Sequence, residues 1–411
     1  MLLPKTQIEM KPFQSHLAKQ LEIIKRGIVE IHSEEELIQR LKQGRPLRIK
    51  LGLDPTKPDI HLGHTVVLEK IREFQNLGHQ AVVIIGDFTA YIGDPSGRDK
   101  TRPQLSHKEI EQNAQTYFDQ VRRVVDVKRL EIVYNSTWLK KLTMDDIIRL
   151  ASQVTVAQFI ERDDFNLRIK KQIPISLHEF LYPLLQGYDS VVVRADIELG
   201  GTDQIFNFLV ARDIQKAANM PPQIVLTMPL LVGLDGSKKM SKSLGNHIAI
   251  NEPPFEMYSK IMSLPDKLME SYFTLLTSLN EKEIKDILSK HPKEAKIRLA
   301  KEIVTQYYGK VEGDNSAAKF ESIFSRKEVP EDLAELKVDS SVLNKEGKVY
   351  LPKLLNLCGA TKSNSEARRL ITQGGVTIDG IKLTNPDSEI TIKIGQILKI
   401  GKKNKFYRIQ I

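Results

Sequence analysis

The stretch from Lys50 to Gly97 opens KLGLDPTKPDIHLGHTVVLEKI and closes IIGDFTAYIGDPSG. Leu47 to Leu53 reads as a short strand running into a turn at Asp54, Pro55 and Pro58, after which His61-Leu-Gly-His64 begins an amphipathic helix ending near Gly78. Gln80 to Gly86 follows as a continuous apolar run, of the kind buried on both faces of a parallel sheet. Strand, loop, helix and strand therefore put the histidine motif at a helix N-terminus. Unpaired N–H groups and the positive end of the helix dipole favour phosphate there. Gly63 lets phosphate or ribose approach the backbone, and two imidazoles can donate hydrogen bonds. Two ordinary cap histidines are the alternative reading, against which stands the strand-turn-helix context that a nucleotide site requires.

Working outward, 411 residues suffice for two or three domains, and the 27% charged and 41% apolar fractions are those of a globular protein. The first residues, MLLPKTQIEMKPFQ, lack the apolar core of a signal peptide, and no apolar run approaches a membrane span, so a cytoplasmic protein without membrane contact is expected. One cysteine, Cys358, excludes an internal disulfide framework, and nine scattered histidines form no structural zinc pattern. The net charge of +9 is unevenly spread. Lys345 to Ile411 carries 13 Lys or Arg against 5 Asp or Glu, whereas the rest has 48 against 47. A basic module on a neutral body points to a polyanion, with nucleic acid ahead of membrane because no lipid-facing apolar surface accompanies the charge.

Residues 1 to 46 read as charged helices, one with Leu17, Leu21 and Ile24 on a face and another from Ser33 to Lys42. Past the second strand, Gly93-Asp94-Pro95-Ser96-Gly97 lies where ligands of open parallel sheets bind, so Asp94 can take a substrate ammonium or simply cap a turn. A helix from Ser106 to Val125, a strand at Leu130 to Tyr134 and further helices through Arg162 follow, with Met144, Ile147, Ile148 and Leu150 forming a core or dimer face. Asp163 to Pro174 reads as a charged surface excursion. In His178 to Asp189, Tyr182, Gln186 and Asp189 share one helix face opposite Phe180, Leu181, Leu184 and Leu185, with Pro183 marking a first turn or a kink. The polar face is either a ligand face or solvated. Val191 to Val193 and Asp196 to Leu199 read as strand, and Gly200-Gly201-Thr202-Asp203-Gln204 is a Gly-rich turn before a helix to Ala218, with Asp203 placed to accept from ribose. The last body strand, Ile224 to Leu231, leads to Lys238, Lys239, Met240, Ser241, Lys242 and Ser243. That cationic loop can close over a triphosphate, or can be an ordinary solvated loop.

Asn251 to Phe324 reads as a helical bundle and Arg326 to Lys348 as a linker. The tail gives helices at Leu351 to Leu357 and about Ser363 to Thr372, a strand pair turning at Asp379-Gly380, and strands at Ile390 to Ile394 and Phe406 to Ile411. Lys362, Arg368 and Arg369 on its second helix region, with Lys402, Lys403 and Lys405 in a loop, form a candidate RNA face.

The pairing of HLGH at 61–64 with KMSKS at 239–243 resembles the two signatures of class I aminoacyl-tRNA synthetases. GLDPT at 52–56, GDPSG at 93–97, YPLLQGYD at 182–189 and GGTDQ at 200–204, followed by an S4-like tail, are similar to bacterial tyrosyl-tRNA synthetases across essentially the whole chain. The resemblance implies an α/β chain: a Rossmann-like parallel-sheet catalytic domain over 1–250 with an inserted region at about 110–175, an α-helical anticodon-recognition domain over 251–325, a linker over 326–348 and a small α+β S4-like domain over 349–411. It further implies a homodimer, ATP with Mg2+, L-tyrosine and tRNA-Tyr as substrates, and adenylation followed by transfer. Asp94, Tyr182 and Gln186 would hold the ammonium, Asp189 the phenol, and Gln204 the carboxylate region. Asp54, Gly63, Met240 and Ser241 would serve ATP, with Gly201 and Asp203 at the ribose. Thr56, His61, His64, Lys239 and Lys242 would act on the reacting phosphates. Two positions depart from the family: Lys50 stands where many members have a phenol-binding tyrosine, and Glu198 where many have Gln, so Lys50 is expected as a second phenol partner. Tryptophanyl-tRNA synthetase, a small-molecule nucleotidyltransferase and a non-catalytic RNA-binding protein on the same scaffold are the rival readings.

Overall fold

A computed structural model describes residues 10–56, 59–96, 105–324, 333–339, 342–344, 346–401 and 405–411. The chain divides into two compact units, Met1–Gly313 and Asp314–Ile411.

The first unit is built on a six-stranded sheet. Its strands are β1 (Glu30–His32), β2 (Arg48–Leu53), β3 (Gln80–Ile85), β4 (Leu130–Tyr134), β5 (Ile197–Gly201) and β6 (Ile224–Met228), in the order β1-β6-β5-β2-β3-β4. All pairings are parallel except β1 on β6, where Ile31 faces Leu226. The apolar run of β3 explains its place: Ala81 to Ile85 are each at most 1% exposed, and each buried Val or Ile contributes about 1.5–3 kcal/mol. After β2 the chain winds outward through β3 and β4, then returns to lay β5 on the other flank of β2. The carboxyl ends of β2 and β5 therefore border a topological switch point, the crevice in which ligands of open α/β sheets bind.

Several sequence expectations change. Val191 and Val192 finish the helix Leu181–Val192 rather than starting a strand. β-branched residues favour strands, yet Val193 N–H continues the helical pattern to Asp189 O (3.0 Å), and Arg194, with φ +51°, turns the chain so that Ala195 N–H bonds Ser190 O at 3.0 Å. Pro183 sits in the first turn of that helix, where a missing N–H costs nothing. Asp163–Lys170 is a helix, not a surface excursion. Phe165 packs with Phe159 and Leu184, while the Arg168 guanidinium holds the Glu179 carboxylate at 2.6 and 3.0 Å with both side chains buried. The short edge strand β1 carries no sequence signal of its own, and the strand expected to reach Leu231 stops at Met228. Beyond the sheet, Pro254–Met262, Met269–Leu276, Glu281–Leu288, Pro292–Tyr308 and Lys310–Phe324 are helices.

The second unit has its own core of Leu336, Val349, Leu351, Leu354, Leu355, Ile371, Val376, Leu398 and Ile409. Helices Leu351–Leu357 and Asn364–Thr372 accompany five sheet strands: β7 (Ala334–Lys337), β9 (Val376–Ile378), β10 (Ile381–Leu383), β12 (Ile397–Ile400) and β13 (Lys405–Gln410). Between these, β8 (Lys348–Tyr350) pairs with β11 (Glu389–Thr391). Positive φ at Asp379 (46°) and Gly380 (80°) gives the tight β9–β10 hairpin. The stretch expected as a linker contains β7, which pairs in parallel with β13 because that strand otherwise leaves an open edge.

Candidate active site

A cleft of about 420 Å³ opens at the carboxyl ends of the parallel strands, within the size range of small-molecule sites. Every residue assigned from the sequence to ATP or tyrosine lines it: Lys50, Asp54, Thr56, His61, Gly63, His64, Asp94, Tyr182, Gln186, Asp189, Gly201, Asp203, Gln204, Lys239, Met240, Ser241 and Lys242.

At the mouth, the helix Leu62–Asn76 begins with His61 as its N-cap. The expectation of free backbone donors there is corrected. Leu62 N–H goes to Ile248 O (2.9 Å), Gly63 N–H to His61 Nδ1 (3.2 Å) and His64 N–H to His61 O (2.8 Å). The segment after the lysine loop thus reaches back to cap the helix, and a second bond from Ile250 N–H to Ile60 O (3.1 Å) tethers the two signatures. What remains for phosphate is the imidazoles. His61 N–H donates to His64 Nδ1 at 3.3 Å, so both rings use Nδ1 as acceptor and carry their proton on Nε2. The rings stack at 3.8 Å. Burial, followed by the neighbouring His64, His247 and Lys242, depresses His61 to about 2, and burial followed by Lys242 depresses His64 to about 4. Both are neutral Nε2–H donors at physiological pH. A Cβ on Gly63 would stand 3.0 Å from the His61 ring, and one on Gly201 would lie 2.7 Å from Asp203 Oδ1 and 2.8 Å from Leu230, so glycine keeps both approaches open.

The lysine loop is knitted by Asn246, whose Nδ2 reaches Asp235 Oδ2 (2.6 Å) and Lys239 O (3.1 Å) and whose Oδ1 accepts from Ser241 N–H (2.8 Å). Met240 is buried and anchors the loop. Lys239 Nζ lies 3.5 Å from Asp203, and Lys242 Nζ pairs with Asp59. Burial raises Asp203 above the usual carboxylate range, with Lys239 opposing that shift and Asp94 adding to it.

Deeper in, Asp54 accepts from Thr89 Oγ1 (2.8 Å) and from the Tyr182 hydroxyl (2.9 Å), which places the Tyr182 phenol oxygen at the cleft wall. Asp94 accepts from Gln204 Nε2 at 2.7 Å. Asn207, one helical turn beyond Gln204, lies within 3.1 Å of Gln204 Oε1, Gln186 Oε1 and Ser96 Oγ and orders that rim. At the floor, the buried Asp189 accepts from Trp138 Nε1 (2.8 Å) and Asn135 Nδ2 (3.1 Å). Burial pushes Asp189 up to about 7; Lys50 works against this, as do its two hydrogen bonds, while Glu198 adds to it. Lys50, expected as a second phenol partner, has its three N–H donors taken by Glu198 Oε1 (2.8 Å), Gln186 O (2.8 Å) and Ser190 Oγ (2.6 Å). Asn135, Trp138 and Asn207 were not singled out from sequence. Only the position of Asn135 just past a strand's carboxyl end signals its role.

On the second unit, Arg369 and Lys362 are exposed, whereas Arg368 is clamped by Asp387 at 2.5 and 3.1 Å. Lys402 and Lys403 lie outside the described residues, as does the side chain of Lys405. Among the described residues no cluster of His, Cys, Asp or Glu could hold a metal ion, and no helix is long and apolar enough to cross a membrane.

Residues 42–325 match the family model for class I tRNA synthetases of the W and Y type, and residues 351–393 match the S4 domain. The chain is 50% identical over 406 residues to the tyrosine–tRNA ligase of Moorella thermoacetica, spanning 96% of this chain and 97% of that one. It is 51% identical over 397 residues to that of Carboxydothermus hydrogenoformans, spanning 92% and 96%. Among solved structures, a C-terminally truncated mitochondrial tyrosyl-tRNA synthetase of Aspergillus nidulans shares the fold with a TM-score of 0.64 at 21% identity, over 77% of this chain and 99% of that one. With both signature motifs on one cleft and these matches along its length, the chain belongs to the class I tRNA synthetases of the tryptophan and tyrosine group and carries an S4 domain.

Proposed function

We propose that the chain is a tyrosine–tRNA ligase that activates L-tyrosine with ATP and transfers it to the 3′ end of tRNA-Tyr. The observation that carries the choice of amino acid is Asp189, a buried carboxylate at the end of the cleft with a lone pair left on each oxygen. It suits a phenol O–H, and a phenylalanine ring there leaves it unpaired. A site built to hydrogen-bond a substrate hydroxyl rejects the analogue that lacks it far more strongly than an apolar pocket can, because its buried polar groups are then left unpaired.

Asp94 and Gln186 receive the substrate ammonium, with the Tyr182 oxygen as a further acceptor, and Gln204 approaches the carboxylate. The adenosine ribose lies against Gly201 and Asp203, with Asp54, Gly63, Met240 and Ser241 bordering ATP, which brings its own Mg2+. A carboxylate oxygen of tyrosine attacks the α-phosphorus, the bond to the α,β-bridging oxygen breaks, and pyrophosphate leaves with the electron pair. Thr56 and the Nε2–H groups of His61 and His64 donate to the crowded phosphate in the transition state, and Lys239 and Lys242 neutralise the leaving pyrophosphate. The nucleophile is already an anion, so no protein base is needed and positioning carries the catalysis. A ribose hydroxyl of the terminal tRNA nucleotide then attacks the acyl carbon, the bond from that carbon to the phosphate oxygen breaks, and AMP departs with its phosphate taking up the hydroxyl proton.

The helices of 251–325 and the basic S4 unit serve tRNA binding. A homodimer is supported by the helix Met144–Ala151, which has no buried residue and leaves Met144 72% and Ile148 60% exposed, with Val156 at 65% nearby. Pyrophosphate exchange into ATP without tRNA, with tyrosine, tryptophan or phenylalanine supplied separately, tests the whole reading. Exchange with tyrosine alone is expected. Exchange with tryptophan moves the chain to the sister specificity, and none with any amino acid in folded protein removes catalysis.

A further inference from the structure

Lys50 and Glu198 face each other as registered neighbours on β2 and β5 and are both fully buried, at the switch point beneath the cleft. Stability does not account for them. Taking two charges out of water costs several kcal/mol per ion, and an apolar pair of similar volume usually serves as well or better. Their hydrogen bonds instead converge on the helix Leu181–Val192. Lys50 donates to Gln186 O and Ser190 Oγ, while Glu198 accepts from Ser190 Oγ (3.2 Å), from Gln186 Nε2 (3.3 Å) and from Gln223 Nε2. Gln186 and Ser190 bracket Asp189, and the Gln186 side chain is held from its other end by Asn207.

We propose that Lys50 and Glu198 are positioning residues for tyrosine recognition, acting through Gln186 and Asp189. The ion pair clamps one face of the pocket helix, so Asp189 is presented to the phenol and Gln186 to the ammonium at fixed spacing. Rotamer freedom at either contact would otherwise be lost on binding. The charges also work on the substrate contact directly. Asp189 faces Lys50 and Glu198 from β2 and β5 and the neutral Asn135 and Trp138 from the β4 side, so among these groups Lys50 is the cation that favours its ionised, phenol-accepting form.

The inference rests on Asp189 and Gln186 being tyrosine contacts, so the test separates the two claims. Tyrosine-dependent pyrophosphate exchange is measured for the unaltered chain, for Asp189→Asn and for Lys50→Met/Glu198→Gln, which removes both charges with little change of volume. The neutral pair is expected to raise the KM for tyrosine at least tenfold and to lower the preference for tyrosine over phenylalanine at least tenfold, with the KM for ATP unchanged. A folded double variant with unaltered tyrosine KM and preference overturns the proposal. If that chain does not fold, Ser190→Ala decides. Loss of the hydroxyl between the two charges is expected to raise the tyrosine KM several-fold at constant kcat, and an unaltered KM overturns the proposal. An unaltered preference in Asp189→Asn sinks the phenol assignment itself, whereas a changed preference there beside unaltered pair variants sinks this inference alone.

Discussion

Asp189 has one donor on each carboxylate oxygen, and burial raises it to about 7, so acid competes with the phenol for the same lone pairs. Its ionised form is the better acceptor, so the KM for tyrosine should climb as pH falls below about 7 and level off above it. Asp189→Asn should flatten that dependence and cut the tyrosine-over-phenylalanine preference by about tenfold or more, both read from exchange kinetics. The histidines titrate in the other direction. Their pKa values lie below the usual histidine range, so the folded chain binds fewer protons than the unfolded one as pH drops from 6.5, and their contribution to stability is lost between that pH and the folded values near 4 and below. His64→Asn should lower the exchange kcat by about 10²-fold with little change in the tyrosine KM, because its donor acts on charge that develops in the transition state. Residues inside contiguous motifs were legible in the sequence because their spacing carries the geometry. Asn135, Trp138 and the Lys50–Glu198 contact were not: the first two gain their meaning from the helix that carries Asp189, and the pair from the strand brought beside it.

At the scale of elements, periodicity found the long helices and the buried strands, and it failed where tertiary contacts override composition. The charged run Asp163–Lys170 is helical because the Arg168–Glu179 ion pair and Phe165 are swallowed together, a pairing that no local pattern announces. Removing one partner of such a pair leaves a bare buried charge, so Glu179→Ala should destabilise the chain by about 3 kcal/mol in chemical denaturation. The helix Met144–Ala151 shows the opposite case: of the apolar stripe that the sequence announces, Ile147 and Leu150 pack on the body while Met144 and Ile148 stay exposed. Ile148→Glu is expected to convert the proposed dimer to monomer in sedimentation velocity at micromolar concentration.

Across the whole molecule, the sheet order puts the ends of β2 and β5 at the reversal of winding, which is why motifs far apart in the chain meet in one cleft. The basic S4 unit is expected to act on a different step from that cleft. Lys362→Ala/Arg369→Ala should weaken tRNA charging several-fold and reduce its salt dependence while leaving tRNA-free exchange unaltered. The charge bias of this unit was legible in composition, whereas its first strand, hidden in a charged stretch, depends on the edge offered by β13. The resting lysine loop is likewise already partnered. Lys239 and Lys242 rest on the carboxylates of Asp203 and Asp59, which stand in for phosphate before any arrives. Triphosphate entry is therefore a trade of one anion for another, with few ion pairs gained overall. In the proposed reaction the same two acids are on hand after adenylation to reclaim the lysines and let pyrophosphate go.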